Sequence, residues 1–116
     1  MYHIGMTQWI VGNEPLEVSC ARLKKYGYNG IEFAAEPYSL DVQECLELMA
    51  KYDLNCHSLC GIFNESRDLT SGEKAGENAV KYLKDSIDFA EAVGFEEAAI
   101  FHNRKPDFVK IKTLRR

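Results

Sequence analysis

The chain has 116 residues, 46% of them hydrophobic and 11% aromatic, and a formal net charge of −4. This length suffices for one domain with one hydrophobic core, and no run approaches the ~18 consecutive apolar residues of a membrane span, which argues against a membrane protein. The N-terminus lacks the features of a secretory signal, so we expect a cytoplasmic protein whose four cysteines are reduced.

The charge is unevenly distributed along the chain. Residues 1–103 contain 8 Lys and Arg against 17 Asp and Glu, whereas residues 104–116 contain 6 basic residues and one acid. The acidic body argues against nucleic acid as a partner. We therefore expect one domain over residues 1–103, followed by a basic tail that is disordered or not native.

The first predicted elements are a strand and a helix. Residues 2–8 alternate polar and apolar side chains, as in a strand. Asn13, followed by Glu14 and Pro15, is typical of a helix start, and Gly27 of a helix end. The predicted helix between them has apolar residues at helical spacing, Leu16, Cys20 and Leu23.

The second unit begins with a strand over residues 30–33, in which Glu32 faces away from Ile31 and Phe33. Ser39 or Asp41 caps the next helix. Its predicted buried face consists of Val42, Cys45, Leu46 and Met49.

The third unit is a strand over residues 55–60 and a long helix over residues 72–93, which Gly94 ends. The predicted buried stripe of this helix is Ala79, Leu83, Ile87 and Ala90. Residues 97–101 predict a fourth strand, and residues 108–112 alternate weakly, as an edge strand does. Strands that alternate with helices predict an α/β fold with a parallel sheet.

Several segments, in this order and spacing, resemble the sugar-phosphate isomerase/epimerase superfamily of xylose isomerase-like (β/α)8 barrels, nearest the tagatose/psicose 3-epimerases. These segments are Ile4-Gly5-Met6, Gly30-Ile31-Glu32-Phe33-Ala34-Ala35, Asp68-Leu69-Thr70-Ser71 and Ala90-Glu91-Ala92-Val93-Gly94. A complete barrel needs at least ~200 residues. The resemblance therefore implies parallel βα units that form the first half, about four strands, of a TIM barrel.

The resemblance also implies an activity. Members of the superfamily transfer a proton next to a sugar carbonyl and use a divalent metal, usually manganese, held by Glu, Asp and His on strands five to eight. The match ends before those strands, so we expect no catalytic or metal-binding residue here, no tight metal binding, and no activity of this chain alone. The implied substrate of the full-length parent is a small carbohydrate.

Four residues are candidate substrate contacts by the same resemblance. Glu32 lies at the position of the strand-two glutamate, with a structural ion pair as the alternative. Cys60 ends strand three, Trp9 follows strand one, where epimerases place aromatics around the sugar, and His102 follows strand four. The alternative is a core or interface role for Trp9 and an exposed loop position for His102.

Other polar residues are given structural roles. Glu36 is interpreted as a solvated charge, and the segment 68–71 as a helix cap. Strand alternation places Cys56 and Cys60 on one face and His57 on the other, against a helix, so the three do not share a metal.

Two further hypotheses remain open. An open half-barrel has exposed edges, which favours a non-catalytic module that assembles with itself into a homo-oligomer. Alternatively, the barrel carries other chemistry of the superfamily, C-glycoside cleavage or apurinic-site cleavage. Whether the substrate is phosphorylated stays open.

Overall fold

The computed structural model describes residues 3–8, 14–94, 97–101 and 108–112. Strands and helices alternate through most of this range, as predicted. The elements are, in chain order, β1 (Gly5–Thr7), α1 (Leu16–Lys25), β2 (Gly30–Ala35), α2 (Val42–Tyr52), β3 (Asn55–Gly61), α3 (Glu73–Val93), β4 (Glu97–Phe101) and β5 (Phe108–Lys112).

The strands form a single sheet in the order β1-β2-β3-β4-β5. The first four strands are parallel, and α1, α2 and α3 connect β1 to β2, β2 to β3 and β3 to β4. This arrangement is the first half of a TIM barrel, and the predicted fold class is confirmed.

The last strand departs from the βα pattern. β5 pairs with β4 in antiparallel register, from Glu97 opposite Lys112 to Phe101 opposite Phe108. The weak alternation of these five residues predicts this edge strand, and they lie within the basic segment 104–116. A domain boundary at residue 103 stays a prediction.

The helix ends follow the sequence signals closely. Gly27 and Gly94, both with positive φ, lie just beyond α1 and at the C-terminal end of α3, as predicted. Asp41 caps α2 by accepting a hydrogen bond from the Glu44 amide at 2.8 Å. The predicted Asn13 cap lies outside the described residues, and α1 begins after Pro15.

The hydrophobic core lies between one face of the sheet and the three helices. Ile31 and Phe33 of β2 are fully buried there, and the Phe33 ring meets Phe89 of α3 edge to face, with ring centroids 6.4 Å apart. On α1, all three predicted core residues are buried. The core consists mainly of Leu16, Cys20, Leu23, Ile31, Phe33, Ala35, Cys45, Leu48, Met49, Leu54, Cys56, Leu59, Phe63, Ala79, Tyr82, Phe89, Ala90 and Val93.

Two predicted helix faces are partly wrong. On α2, Leu48 is buried and Leu46 is 39% exposed. On α3, the buried stripe is rotated by about one residue, so that Tyr82 is buried and Leu83 is half-buried. On α3, the Tyr82 hydroxyl is hydrogen-bonded to the backbone at the end of β2 and just beyond β3, so this side of the helix is held against the sheet.

None of the helices in the described part of the chain combines the length and apolar character needed to cross a bilayer.

Candidate functional site

The face of the sheet opposite the helices is lined by small and polar residues. On β2, Glu32 and Ala34 are half-buried and alternate with the fully buried core residues, so they lie on this second face. We call it the inner face, because it would line the interior of a complete barrel. Its described members on β1 to β3 are Gly5, Thr7, Gly30, Glu32, Ala34, His57, Ser58 and Cys60.

A bulge in β3 decides which residues reach the inner face. Ile31 pairs with Cys56, but the next residue, Glu32, pairs with Ser58, so His57 is an extra residue in the strand. Two consecutive residues, His57 and Ser58, therefore face inward. From Ser58 onward the alternation is inverted relative to the start of the strand.

The bulge corrects the prediction that Cys56 and Cys60 share a face. Cys56 is buried in the core, where burial raises the pKa of its thiol to about 12. Cys60 lies on the inner face and is half-buried, paired with Ala34 on one side and Ala99 on the other. The structure thus brings two of the candidate contacts, Glu32 and Cys60, to the same face.

The centre of the inner face is a carboxylate–hydroxyl pair. The Ser58 hydroxyl donates to Glu32 Oε2 at 2.5 Å, and both side chains are half-buried. Thr7 is the register partner of Glu32 on β1. These three polar residues therefore lie side by side on adjacent strands. Within the described part of the chain, Glu32 bonds to the Ser58 hydroxyl and forms no ion pair.

The end of β1 is fastened to β2 close to this pair. The Gln8 side-chain oxygen accepts a hydrogen bond from the Ala34 amide at 3.0 Å. Ala34 is also the register partner of Cys60. The carboxyl ends of β1, β2 and β3 are therefore held together as one wall, at the end of the strands where barrel active sites lie.

His57 occupies the opposite, amino-terminal end of the inner face. It packs on the backbone of two glycines rather than against a helix, so the predicted position was wrong. A Cβ at Gly30 would lie 2.2 Å from the imidazole, and one at Gly5 would lie 2.4 Å from its Nδ1. Burial, and then the ring of His3 6.3 Å away, lower the pKa of His57.

Glu36, just beyond β2, is paired rather than freely solvated. Its carboxylate lies 3.5 Å from the guanidinium of Arg67, whose side chain is 15% exposed. Arg67 also donates from Nε to the Ile62 carbonyl oxygen at 2.8 Å and stacks on the Tyr82 ring at 4.0 Å. This cluster joins the loops after β2 and β3 at the rim of the sheet.

The sequence predicts that the segment 68–71 caps α3, but Asp68 does not form this cap. The N-cap residue of α3 is Gly72, which offers no side chain. Asp68 is instead 5% exposed and accepts hydrogen bonds from the Thr70 amide and hydroxyl and from the Ser71 hydroxyl, each at 2.8 Å. Its role is to close the turn before the helix.

The remaining two candidate contacts, Trp9 and His102, lie outside the described residues, and their roles stay predictions. Ser58 was missed, although the sequence contains a signal for it. His57 and Ser58 are consecutive polar residues within the strand, and such an interruption of the alternation is typical of a bulge.

The resemblance of the fold implies a divalent metal, so the side chains that could coordinate one are considered next. In residues 3–8, 14–94, 97–101 and 108–112, no group of three or more His, Cys, Asp or Glu side chains is arranged to hold a metal ion. Glu32 is the only carboxylate on β1 to β3. The described residues do not form a metal shell, and no chemical step is assigned to a metal here.

Parallel βα units with a polar wall at the carboxyl ends of the strands define a barrel-type α/β protein. A family model described as the xylose isomerase-like TIM barrel matches residues 20–112. The chain belongs to this family, as its sequence resemblance indicated.

Solved structures with the same fold include several sugar 3-epimerases. D-allulose 3-epimerase from Methylomonas sp., in complex with D-allulose, matches 83% of this chain with a TM-score of 0.70 and 24% identity. L-ribulose 3-epimerase matches 87% with a TM-score of 0.69 and 20% identity. D-psicose 3-epimerase, in the presence of D-fructose, matches 84% with a TM-score of 0.66 and 10% identity.

These likenesses establish the fold. The matched part spans only 35% of the first structure and 36% of the other two. The chain therefore corresponds to about a third of the length of these enzymes. No curated protein matches the sequence.

Proposed function

We propose that this chain forms the first half of a sugar isomerase/epimerase barrel of the ketose 3-epimerase type, and that its inner face is one wall of the sugar site. The observation that carries the proposal is the row of Thr7, Glu32 and Ser58 on adjacent strands, in a fold shared with three sugar 3-epimerases. Carboxylate and hydroxyl groups are suitable partners for sugar hydroxyls.

In the proposed reaction of the full-length parent, a proton is transferred at the carbon next to the ketose carbonyl. The acid and base groups, and a divalent metal such as manganese that polarises the substrate oxygens, are assigned to strands five to eight of the parent. The wall described here binds and orients the sugar. We therefore propose that the 116-residue chain alone does not catalyse epimerisation.

The composition of the inner face supports a ligand wall over the alternative of a half-barrel closed by a second copy. The interior of a TIM barrel is usually filled by bulky branched side chains. Here its described members on β1 to β3 are glycine, alanine and polar or thiol residues. Such a face offers little apolar surface for a dimer core.

Self-association through a strand edge is a separate possibility. In the described sheet, β1 is paired only with β2, so its other edge is open. We propose a homo-oligomer on this ground, and light scattering on the peak from a sizing column measures it. A mass near two or more times 13.2 kDa supports this proposal, and a monomer at high concentration contradicts it.

The acidic body of the chain weighs against apurinic-site chemistry, because DNA binding requires an excess of basic contacts. Residues 1–103 carry more than twice as many acidic as basic side chains.

The experiment that tests the wall is an NMR titration of the chain with D-allulose, D-fructose and L-ribulose. We expect ketose-dependent shifts at the amides of Thr7, Glu32 and Ser58. Glu32→Gln should weaken binding about fivefold, since it removes a charged acceptor. Glu47→Gln is the matched control, because Glu47 accepts a hydrogen bond from Gln43 on the exposed face of α2, away from the inner face.

Shifts confined to the helices, or equal binding by both variants, contradict the proposal. Activity is measured on the same sample with manganese added. Conversion of one ketose into another above a heat-inactivated control contradicts the expected lack of catalysis.

A further inference from the structure

The Glu32 carboxylate is held from one side only. Its Oε2 accepts the hydrogen bond from Ser58 at 2.5 Å. Its Oε1 makes no hydrogen bond to any residue in the described part of the chain. One oxygen is therefore occupied by the protein, and the other is available to a ligand that approaches the inner face.

We infer that Ser58 is a positioning residue, which fixes the Glu32 carboxylate so that Oε1 accepts a hydrogen bond from a sugar hydroxyl. The inference deepens the proposed function and rests on it. It assigns to Ser58 a role in binding the neutral polyhydroxy part of a ketose. Ser58 acts through Glu32 and does not itself contact the sugar.

The Ser58 hydrogen bond restricts the conformation of the Glu32 side chain. A glutamate side chain has three rotatable bonds, and ordering it costs free energy that binding would otherwise have to supply. The Ser58 hydrogen bond orders the carboxylate in the free protein. A short hydrogen bond from a hydroxyl to a carboxylate is also stronger than one between neutral groups.

The bulge at His57 brings Ser58 to Glu32. In a regular strand, the residue at position 58 would face the helices, because Cys56 does so and side chains alternate. The extra residue instead turns Ser58 to the inner face, opposite Glu32. A bulge costs one ladder position and is often found where a side chain must be re-aimed.

The neighbours of the Glu32–Ser58 pair are uncharged. Thr7 lies beside Glu32 in register on β1, and Cys60 lies two residues beyond Ser58 toward the carboxyl end of β3. No lysine or arginine occurs on β1, β2 or β3. The pair therefore faces a region suited to an uncharged hydroxylated ligand.

The test is a double-mutant cycle on the full chain, with D-allulose as the probe and its dissociation constant measured by NMR. Ser58→Ala should weaken binding about fivefold, the loss expected for one hydrogen bond. Ser58→Thr keeps the hydroxyl and should bind within about twofold of the wild type. Ser58→Ala should have no further effect when Glu32 is already replaced by alanine.

A second measurement does not depend on the ligand. The side-chain carboxyl 13C resonance of Glu32 should move in Ser58→Ala and return toward its position in Ser58→Thr. The control is Ser66→Ala, because the Ser66 hydroxyl bonds to Asn64 in an exposed turn. It should change neither the resonance nor the affinity. Amide spectra and unfolding midpoints establish that each variant is folded.

The outcomes separate the two proposals. If the wild type binds ketose and Ser58→Ala binds equally well, the positioning role is overturned and the proposed function stands. It is also overturned if Ser58→Ala weakens binding as much in the Glu32→Ala background. If the wild type shows no ketose-dependent shifts, the proposed function is wrong. The role of Ser58 in sugar binding is then wrong as well.

Discussion

The Tyr82 hydroxyl donates a hydrogen bond to the Ala35 carbonyl oxygen at 2.6 Å and so joins the middle of α3 to the last residue of β2. The same hydroxyl accepts a hydrogen bond from the Ile62 amide at 2.7 Å, just beyond β3. Tyr82 is 1% exposed. One buried hydroxyl therefore sets the spacing of two strand ends that support the inner face.

Tyr82→Phe should lower the free energy of unfolding by about 1–3 kcal/mol, because it leaves a buried acceptor and a half-buried donor without their partner. Urea unfolding measures the change. The matched control is Tyr38→Phe, whose hydroxyl bonds to Asp85 on the surface and whose residue is 59% exposed. That control should cost less than about 0.5 kcal/mol. Equal losses for the two variants would show that the bridge contributes nothing beyond a surface contact.

A different kind of constraint operates at the other end of the strands, where His57 lies on Gly30. Gly30→Ala should cost about 1–3 kcal/mol, because the added methyl group overlaps the imidazole and forces it to move. In a His57→Ala background the same substitution should cost close to nothing. Thermal unfolding of the four proteins in this cycle measures the coupling.

Gly76→Ala is the control for this cycle. Gly76 lies within α3, and a Cβ there would meet nothing within 4 Å. The substitution should therefore stabilise the chain by about 0.5–1 kcal/mol, the usual helical preference for alanine. If Gly30→Ala remains costly without the imidazole, the glycine is required by the backbone and not by His57.

The same packing makes stability depend on pH. The pKa of His57 is lowered by burial and by His3, so the unfolded chain takes up a proton at a higher pH than the folded chain does. The free energy of unfolding should therefore fall as the pH drops below about 6.5, and level off once the folded His57 is protonated.

Comparison with His57→Gln isolates this contribution, since the variant does not titrate. The wild type should lose more stability than the variant between about pH 7.5 and pH 5. The lowered pKa of Glu14, caused by hydrogen bonds from Ser19 and Arg22, affects a more acidic range, below about pH 4.5. Parallel curves for the two proteins over the upper range would contradict the assignment to His57.

Much of the fold could be predicted from local signals, because each operates within a few residues. Gly27, Asp41 and Gly94 act through their own backbone or side chain, and all three end or begin helices as predicted. The rotated stripe of α3 was harder to predict. It depends on a contact between Tyr82 and Ala35, which are far apart in the sequence.

In the candidate site, too, some residues could be placed from local signals and others could not. Glu32 could be placed on the inner face because β2 alternates regularly. Ser58 and Cys60 could not be placed correctly, because a single extra residue, His57, reverses the alternation in β3. Whether the chain accommodates two consecutive polar residues by a bulge depends on the partner strand. Gly30 provides the space for the imidazole, and it lies in β2.

The charges around the inner face favour a neutral sugar over a phosphorylated one. The carboxylate of Glu32 faces the proposed site, and β1, β2 and β3 carry no basic residue. Arg67 is the nearest cation along the chain after β3, but it is bound to the Ile62 carbonyl oxygen and paired with Glu36. A phosphate close to the wall would therefore meet the negative charge of Glu32, and β1, β2 and β3 offer no lysine or arginine to balance it.

We expect D-allulose to bind at least about threefold more tightly than D-allulose 6-phosphate at low salt, since like charges within a few ångströms repel by an appreciable fraction of a kcal/mol even near water. Glu32→Gln should reduce this preference, and added salt should reduce it in the wild type. NMR titrations of both sugars measure it. Tighter binding of the phosphate, with shifts at Arg67, would instead mean that the Arg67–Glu36 pair opens to receive an anion.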